Sequence, residues 1–112
     1  MTGGRPTRWF SSRQEKAVAK AVGGKQVANS GAIRFGAGDV VTSKVLLECK
    51  TRTKPQTSFT VKREWIEKNK EEAFAMGKDY SAVVIDFGDG EQHYIIGQKM
   101  FDILLETINR EC

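Results

Sequence analysis

Apolar and polar positions divide the chain into segments with two different periods. Between residues 32 and 52, short apolar runs alternate with turn residues, which predicts three strands in succession: residues 32–35, then Gly38-Asp39-Val40-Val41 reached through the link Gly36-Ala37-Gly38, then 44–52 after the Thr42-Ser43 turn. Helical spacing lies on either side. Ser11-Ser12 opens a helix to about Val22, with Ala17, Val18, Ala21 and Val22 on one stripe and Gly23-Gly24 as its stop; Asn29-Ser30-Gly31 then reads as a turn. After Pro55 comes a loop over residues 56–59. Thr60 is the expected N-cap of a helix over residues 61–76, closed by Gly77, with Trp65, Ile66, Ala73 and either Phe74 or Met76 on its buried face. Residues 81–87 have high β-propensity, and Gly88-Asp89-Gly90 turns them into a strand over 92–96. A last helix, about 99–109, is expected to place Phe101, Leu104, Leu105 and Ile108 inward. The order of helix, three strands, helix, two strands, helix predicts an α/β domain with about five strands.

At 112 residues the chain is long enough for one core and too short for two. Residues 1–10 carry Arg5 and Arg8 among Gly3-Gly4 and Pro6 without periodicity, so they read as a flexible basic arm, leaving 11–112 as the domain. Eighteen Lys and Arg against 14 Asp and Glu give a net charge of +4, which favours a polyanionic partner such as nucleic acid over acidic small molecules. No apolar run approaches membrane-span length and the N-terminus lacks the apolar stretch of a secretory signal, so a soluble, cytoplasmic protein is expected. Cys49 and Cys112 have no metal-type spacing and read as free thiols.

The candidate chemistry lies where the strands follow one another. Asp39 sits in one strand, and the apolar run Val45-Leu46-Leu47 feeds Glu48-Cys49-Lys50 in the next. Because side chains alternate across a strand, Leu46, Glu48, Lys50 and Arg52 share one face, and hairpin pairing can bring Asp39 within reach of Glu48. Hydrolysis of a phosphodiester calls for such a set. Mg²⁺ takes a few carboxylates and keeps waters that a phosphate can displace, and the bound ion acidifies water and offsets developing charge. Lys50 would hold or polarise the attacking water. The same residues also fit a solvated strand face with cross-strand ion pairs. Glu15 has a second reading too, since Ser12-Arg13-Gln14-Glu15 matches a capping box.

An early helical Glu, a meander bearing Asp and then Glu-x-Lys, and a helix crossing to a further strand together resemble the PD-(D/E)xK nuclease superfamily. Within it the chain looks most like the small archaeal and phage-type Holliday-junction resolvases. The matching stretches are Gln14-Glu15-Lys16 with Val18-Ala19-Lys20, Asn29-Ser30-Gly31-Ala32, Gly38-Asp39-Val40, Leu47-Glu48-Cys49-Lys50 and Ser58-Phe59-Thr60. Gly38 stands where the motif has its proline. The resemblance implies a restriction-endonuclease-like mixed sheet flanked by helices, and Mg²⁺ (Mn²⁺ as a substitute) held by Glu15, Asp39 and Glu48. It implies Lys50 as the catalytic lysine, Ser30 near the active site, and a homodimer that makes paired cuts in four-way DNA junctions. It also suggests a phage-encoded protein acting in a host cytoplasm.

Arg34, Arg52, Lys54, Lys62 and Arg63 cluster around this segment and are expected to track phosphates, with Ser58 and Phe59 adding hydroxyl and apolar contacts to DNA. Each alone is equally well read as solvated surface. His93, the single histidine, reads as an ordinary strand residue, and Asp86-Phe87-Gly88 as a strand end and turn rather than a kinase triplet. The dimer interface is expected on apolar residues of the 61–76 helix and the last two strands. Three other readings fit the sequence: a nicking or double-strand endonuclease of the same fold, a basic nucleic-acid-binding module without catalysis, and a dimeric structural protein with incidental charge.

Overall fold

The computed structural model describes residues 6–27 and 39–111. Three helices and five strands run in the order α1 (Thr7–Val22), β1 (Lys25–Gln26), β2 (Asp39–Val41), β3 (Val45–Thr51), α2 (Arg63–Ala75), β4 (Tyr80–Asp86), β5 (Gln92–Ile95) and α3 (Gln98–Arg110). The strands form one open sheet in sequence order β1-β2-β3-β4-β5, with β3 and β4 parallel and every other neighbouring pair antiparallel. The sheet is therefore mixed, and α2 supplies the crossover that a parallel pair requires.

Alternation along β3 gives each face its own helix. Leu47, with Val40 and Ala82 beside it in register and Val84 two residues further along β4, is buried with Val18 of α1, and Val45 and Cys49 pack at the edge of that cluster. The opposite face carries Leu46, Glu48 and Lys50, and α2 lies over it. Asn69 of α2 donates from Nδ2 to the Leu46 carbonyl at 3.4 Å, and Trp65 lies against Lys50. Burying both faces explains the unalternating apolar runs Val45-Leu46-Leu47 in β3 and Ala82-Val83-Val84-Ile85 in β4.

Several boundaries differ from the expectation. Helix α1 starts at Thr7, not Ser11, so half of the expected basic arm is helix or cap. Pro6 occupies the N-cap position at φ −62°, and Trp9 meets Phe10 edge-on at 4.9 Å with the Arg13 guanidinium 5.1 Å from its ring; proline and aromatic packing start the helix without a hydroxyl cap. Helix α2 begins at Arg63, with Lys62 rather than Thr60 at its N-cap. Its buried side includes Ala73 and the half-buried Trp65, Ile66 and Met76, while Phe74 is 85% exposed. The strand expected over 32–35 and the Asn29-Ser30-Gly31 turn lie outside the described residues. The short strand β1 was not foreseen.

The largest correction concerns α3, which buries none of its residues. Phe101, Leu104, Leu105 and Ile108, expected inward, are 42–59% exposed. The helix makes no more than marginal contact with any other element. The described residues extend 53 Å along their longest axis, and their radius of gyration of 14.8 Å exceeds the roughly 13 Å of a compact chain of this length.

Candidate active site

The β2–β3 hairpin sets the site. Thr42 closes it, its Oγ1 accepting from the amides of Lys44 and Val45 while its own amide donates to the Val45 carbonyl. That turn fixes the register so that Asp39 pairs with Glu48, which puts the two carboxylates side by side on the face that α2 covers. Both are buried. Asp39 Oδ2 and Glu48 Oε1 have no hydrogen-bond partner among the described residues. Burial, reinforced by the negative charges of Glu48 and Glu72, raises the Asp39 carboxyl from 3.8 to about 8, with Lys68 and Lys50 pulling the other way.

Lys50, next along the same face, places Nζ 3.1 Å from Glu48 Oε2 and 4.7 Å from the Trp65 ring centroid. The ammonium is thus held between a carboxylate and an aromatic face, while a third of its side chain remains open to solvent. Its backbone is held from the other side of the sheet. Gln14, buried in α1, donates from Nε2 to the Lys50 carbonyl at 2.9 Å and lies 3.0 Å from Gln92 Oε1, and Gln92 in turn donates to Asp86 Oδ2 at 2.8 Å.

The segment after β3 carries the expected cationic residues on an aromatic track. Arg52 sits 4.2 Å over the Phe59 ring, Phe59 meets Trp65 and Phe87 edge-on at 6.3 and 5.9 Å, and Lys62 Nζ lies 6.0 Å from Trp65. Lys54, Ser58, Lys62 and Arg63 are exposed along the same segment, whereas Phe59 is half-buried. Gly88 seats this loop. Its φ of +100° excludes most side chains, and a Cβ there would come within 2.5 Å of the Lys54 carbonyl oxygen. The Gln56 amide donates to the Phe87 carbonyl beside it.

Not every expected residue joins this cluster. Glu15 is in the interior of α1, far from the helix start, which removes the capping-box reading; its Oε1 accepts from Gln26 Nε2 at 3.1 Å. It approaches the sheet from the α1 side, where burial first, and then the charges of Glu15, Asp39 and Glu48, push the Cys49 thiol up. Among the described residues, no three His, Cys, Asp or Glu side chains converge as a metal-holding group, so Glu15 does not complete a carboxylate triad with Asp39 and Glu48. Ser30 and Arg34 lie outside the described residues, as does Cys112. Asp86 is used as a turn acceptor, taking the amides of Gly88 and Gly90, and His93 is exposed with Glu91 3.7 Å away.

Four residues near the site were not foreseen. The sequence places Trp65 only on a buried helix face and marks no chemical role for Gln14, Glu72 or Lys68. A helical period from Trp65 through Asn69 to Glu72 and Ala73 marks the side of α2 that faces the sheet, and this would have found Glu72. Comparison with protein-family models, curated proteins and solved structures gave no match to this chain.

Proposed function

We propose that the chain is a Mg²⁺-dependent DNA endonuclease that hydrolyses phosphodiesters, with four-way junctions as the substrate suggested by its resemblance to junction resolvases. One observation carries this reading. Asp39 and Glu48 are adjacent, buried, and each presents a carboxylate oxygen that nothing in the described protein satisfies, an arrangement that costs stability unless a cation or proton occupies it. A site of two carboxylates suits Mg²⁺, which binds through one or two carboxylates and keeps several waters.

In this reading Asp39 and Glu48 hold the ion, which when bound supplies positive charge for the phosphate and lowers the pKa of water. Lys50, anchored by Glu48 and Trp65, directs its ammonium at the water or at a phosphate oxygen. The water oxygen forms a bond to phosphorus and gives up a proton to solvent, one ester P–O bond breaks, and the departing oxygen takes a proton from solvent. Arg52, Lys54, Lys62 and Arg63 steer the backbone by charge, and Phe59 offers a face to sugar or base. Glu15 supports β1 through Gln26 and stands outside the ion's inner ligands.

The test incubates labelled four-way junction and matched linear duplex with the protein in Mg²⁺ or EDTA, beside Glu48→Gln and Lys50→Ala. Paired Mg²⁺-dependent cuts near the branch, lost in both variants, are expected. Equal cutting of linear duplex would keep the nuclease and discard the junction preference. Salt-sensitive binding without cleavage in Mg²⁺ or Mn²⁺ would leave a binding module whose Lys50–Glu48 pair is structural.

A further inference from the structure

A chain of side-chain hydrogen bonds runs behind the site, on the α1 side of the sheet, and no step of the proposed reaction uses it. It starts at Asp86, the buried last residue of β4. Asp86 Oδ2 accepts from Gln92 Nε2 at 2.8 Å, and Gln92 Oε1 accepts from Gln14 Nε2 at 3.0 Å. Gln14 Nε2 also donates to the Lys50 carbonyl at 2.9 Å and lies 3.3 Å from that of Val84. We infer that Asp86 is a positioning residue for Lys50: its carboxylate sets the direction of this relay, and the relay fixes the strand backbone from which the lysine side chain leaves. The catalytic part of Lys50 rests on the nuclease reading, whereas the relay does not.

The direction follows from the donor chemistry. A carboxylate can only accept, whereas a glutamine amide can present either its oxygen or its nitrogen. Asp86 therefore turns the Gln92 nitrogen toward itself. That turns the Gln92 oxygen toward Gln14, and the Gln14 nitrogen toward the oxygens of Gln92, Lys50 and Val84. Gln14 is only 2% exposed, and its own Oε1 has no partner among the described residues, so its amide is held by what its nitrogen donates to. Reversed, the same amide would set its oxygen against other buried oxygens.

The same carboxylate also serves the substrate side. Asp86 Oδ1 accepts from the amides of Gly88 at 2.8 Å and Gly90 at 3.0 Å, which shapes the β4–β5 turn. That turn seats the segment after β3, since the Gln56 amide donates to the Phe87 carbonyl at 2.8 Å and Gly88 lies against the Lys54 carbonyl. One side chain thus anchors both Lys50 and the loop that carries Lys54. A misplacement of about 1 Å at a reacting group can cost on the order of 100-fold in rate, so a shared anchor bears on catalysis without touching substrate.

Asp86→Asn separates the two duties. It keeps an oxygen for the Gly88 and Gly90 amides and turns an NH₂ toward Gln92, which reverses or breaks the relay. Adding Gln92→Glu places an acceptor in the middle that takes bonds from the new amide and from Gln14, at the net charge of the wild type. Gln92→Leu breaks the relay at a half-buried position on an edge strand and leaves the turn bonds of Asp86 in place. For each protein, single-turnover cleavage of labelled four-way junction in Mg²⁺ is measured beside DNA affinity, and the Lys50 carbonyl is followed by its carbon-13 resonance. Asp86→Asn and Gln92→Leu should each lower the cleavage rate roughly tenfold, leave affinity within about twofold, and move the Lys50 resonance upfield. Asp86→Asn with Gln92→Glu should recover both the rate and the resonance. Single variants that keep the wild-type rate or the wild-type resonance would overturn the inference, as would a folded double variant that recovers only one or neither. An equal loss of DNA affinity would also overturn it, because a displaced loop rather than a misplaced lysine would then account for the rate. A wild type that cuts no DNA would sink the nuclease reading instead, and the Lys50 resonance across the same variants would still decide whether Asp86 holds that backbone.

Discussion

Asp39 gives the sharpest test of the site because its effect can be measured without a substrate. Its carboxyl is raised from 3.8 to about 8 by burial beside Glu48 and Glu72, so the folded protein without metal holds a proton there that the unfolded chain releases near pH 4. The folded state therefore binds more protons between these two values, and stability falls as pH rises through that window. Below about pH 4 both states are protonated and the contribution is complete; above pH 8 it is lost. Integrating the two titrations from pH 5 to pH 9 gives a loss of about 4 kcal/mol, a large share of the 5–15 kcal/mol typical of a domain. Asp39→Asn removes this titration and keeps nearly the same shape. In urea melts in EDTA at pH 5, 7 and 9, the wild type should lose stability relative to Asp39→Asn by most of that amount. Mg²⁺ should reverse the trend in the wild type alone, since the ion binds the deprotonated pair. Wild-type and Asp39→Asn profiles that stay parallel within about 1 kcal/mol would refute the reasoning, because a buried carboxyl that titrates normally must have a partner.

Further expectations follow from other parts of the site. Gln14→Leu leaves the Lys50 carbonyl and Gln92 Oε1 without their donor and should destabilise the fold by about 1–3 kcal/mol, read as a lower urea midpoint. Trp65→Leu removes the aromatic face from Lys50 while keeping an apolar side chain, so it should lower the rate of cleavage about tenfold with little change in DNA affinity, measured in single-turnover and binding assays. Replacing Arg52 and Lys54 together by Gln should flatten the plot of log affinity against log salt for duplex DNA by roughly 1.8, measured by fluorescence anisotropy; an unchanged slope would place both side chains away from phosphate.

The central part of the fold could be read from local sequence. Asp39, Thr42-Ser43 and Glu48 define a hairpin whose register follows from the turn, and strand alternation then fixes which side chains share a face. Contributions from distant sequence could not be read in this way. Gln14 reaches Lys50 across 36 residues, and Glu72 acts on Asp39 only after α2 folds back over the sheet. The start of α1 was missed because Pro6 and the Trp9–Phe10 contact replace the usual hydroxyl cap. Helix α3 was recognised as amphipathic and then assigned to the wrong surroundings. An apolar stripe specifies that something must cover it, whereas whether the cover lies in the same chain is decided by tertiary geometry.

Strand β3 has a bonded neighbour on each side and a helix over each face, so the amides of its middle residues are shielded in every direction. Hydrogen exchange there should proceed only through opening of the whole sheet, far more slowly than in the loop between Arg52 and Lys62. Glu48 thus sits on a strand shielded on every side, with Asp39 paired to it from β2, and the exposed residues of the following loop lie beside them. A nucleic acid that engages this site must bring its phosphate to a fixed point, so a substrate already bent or opened there needs less distortion than straight duplex.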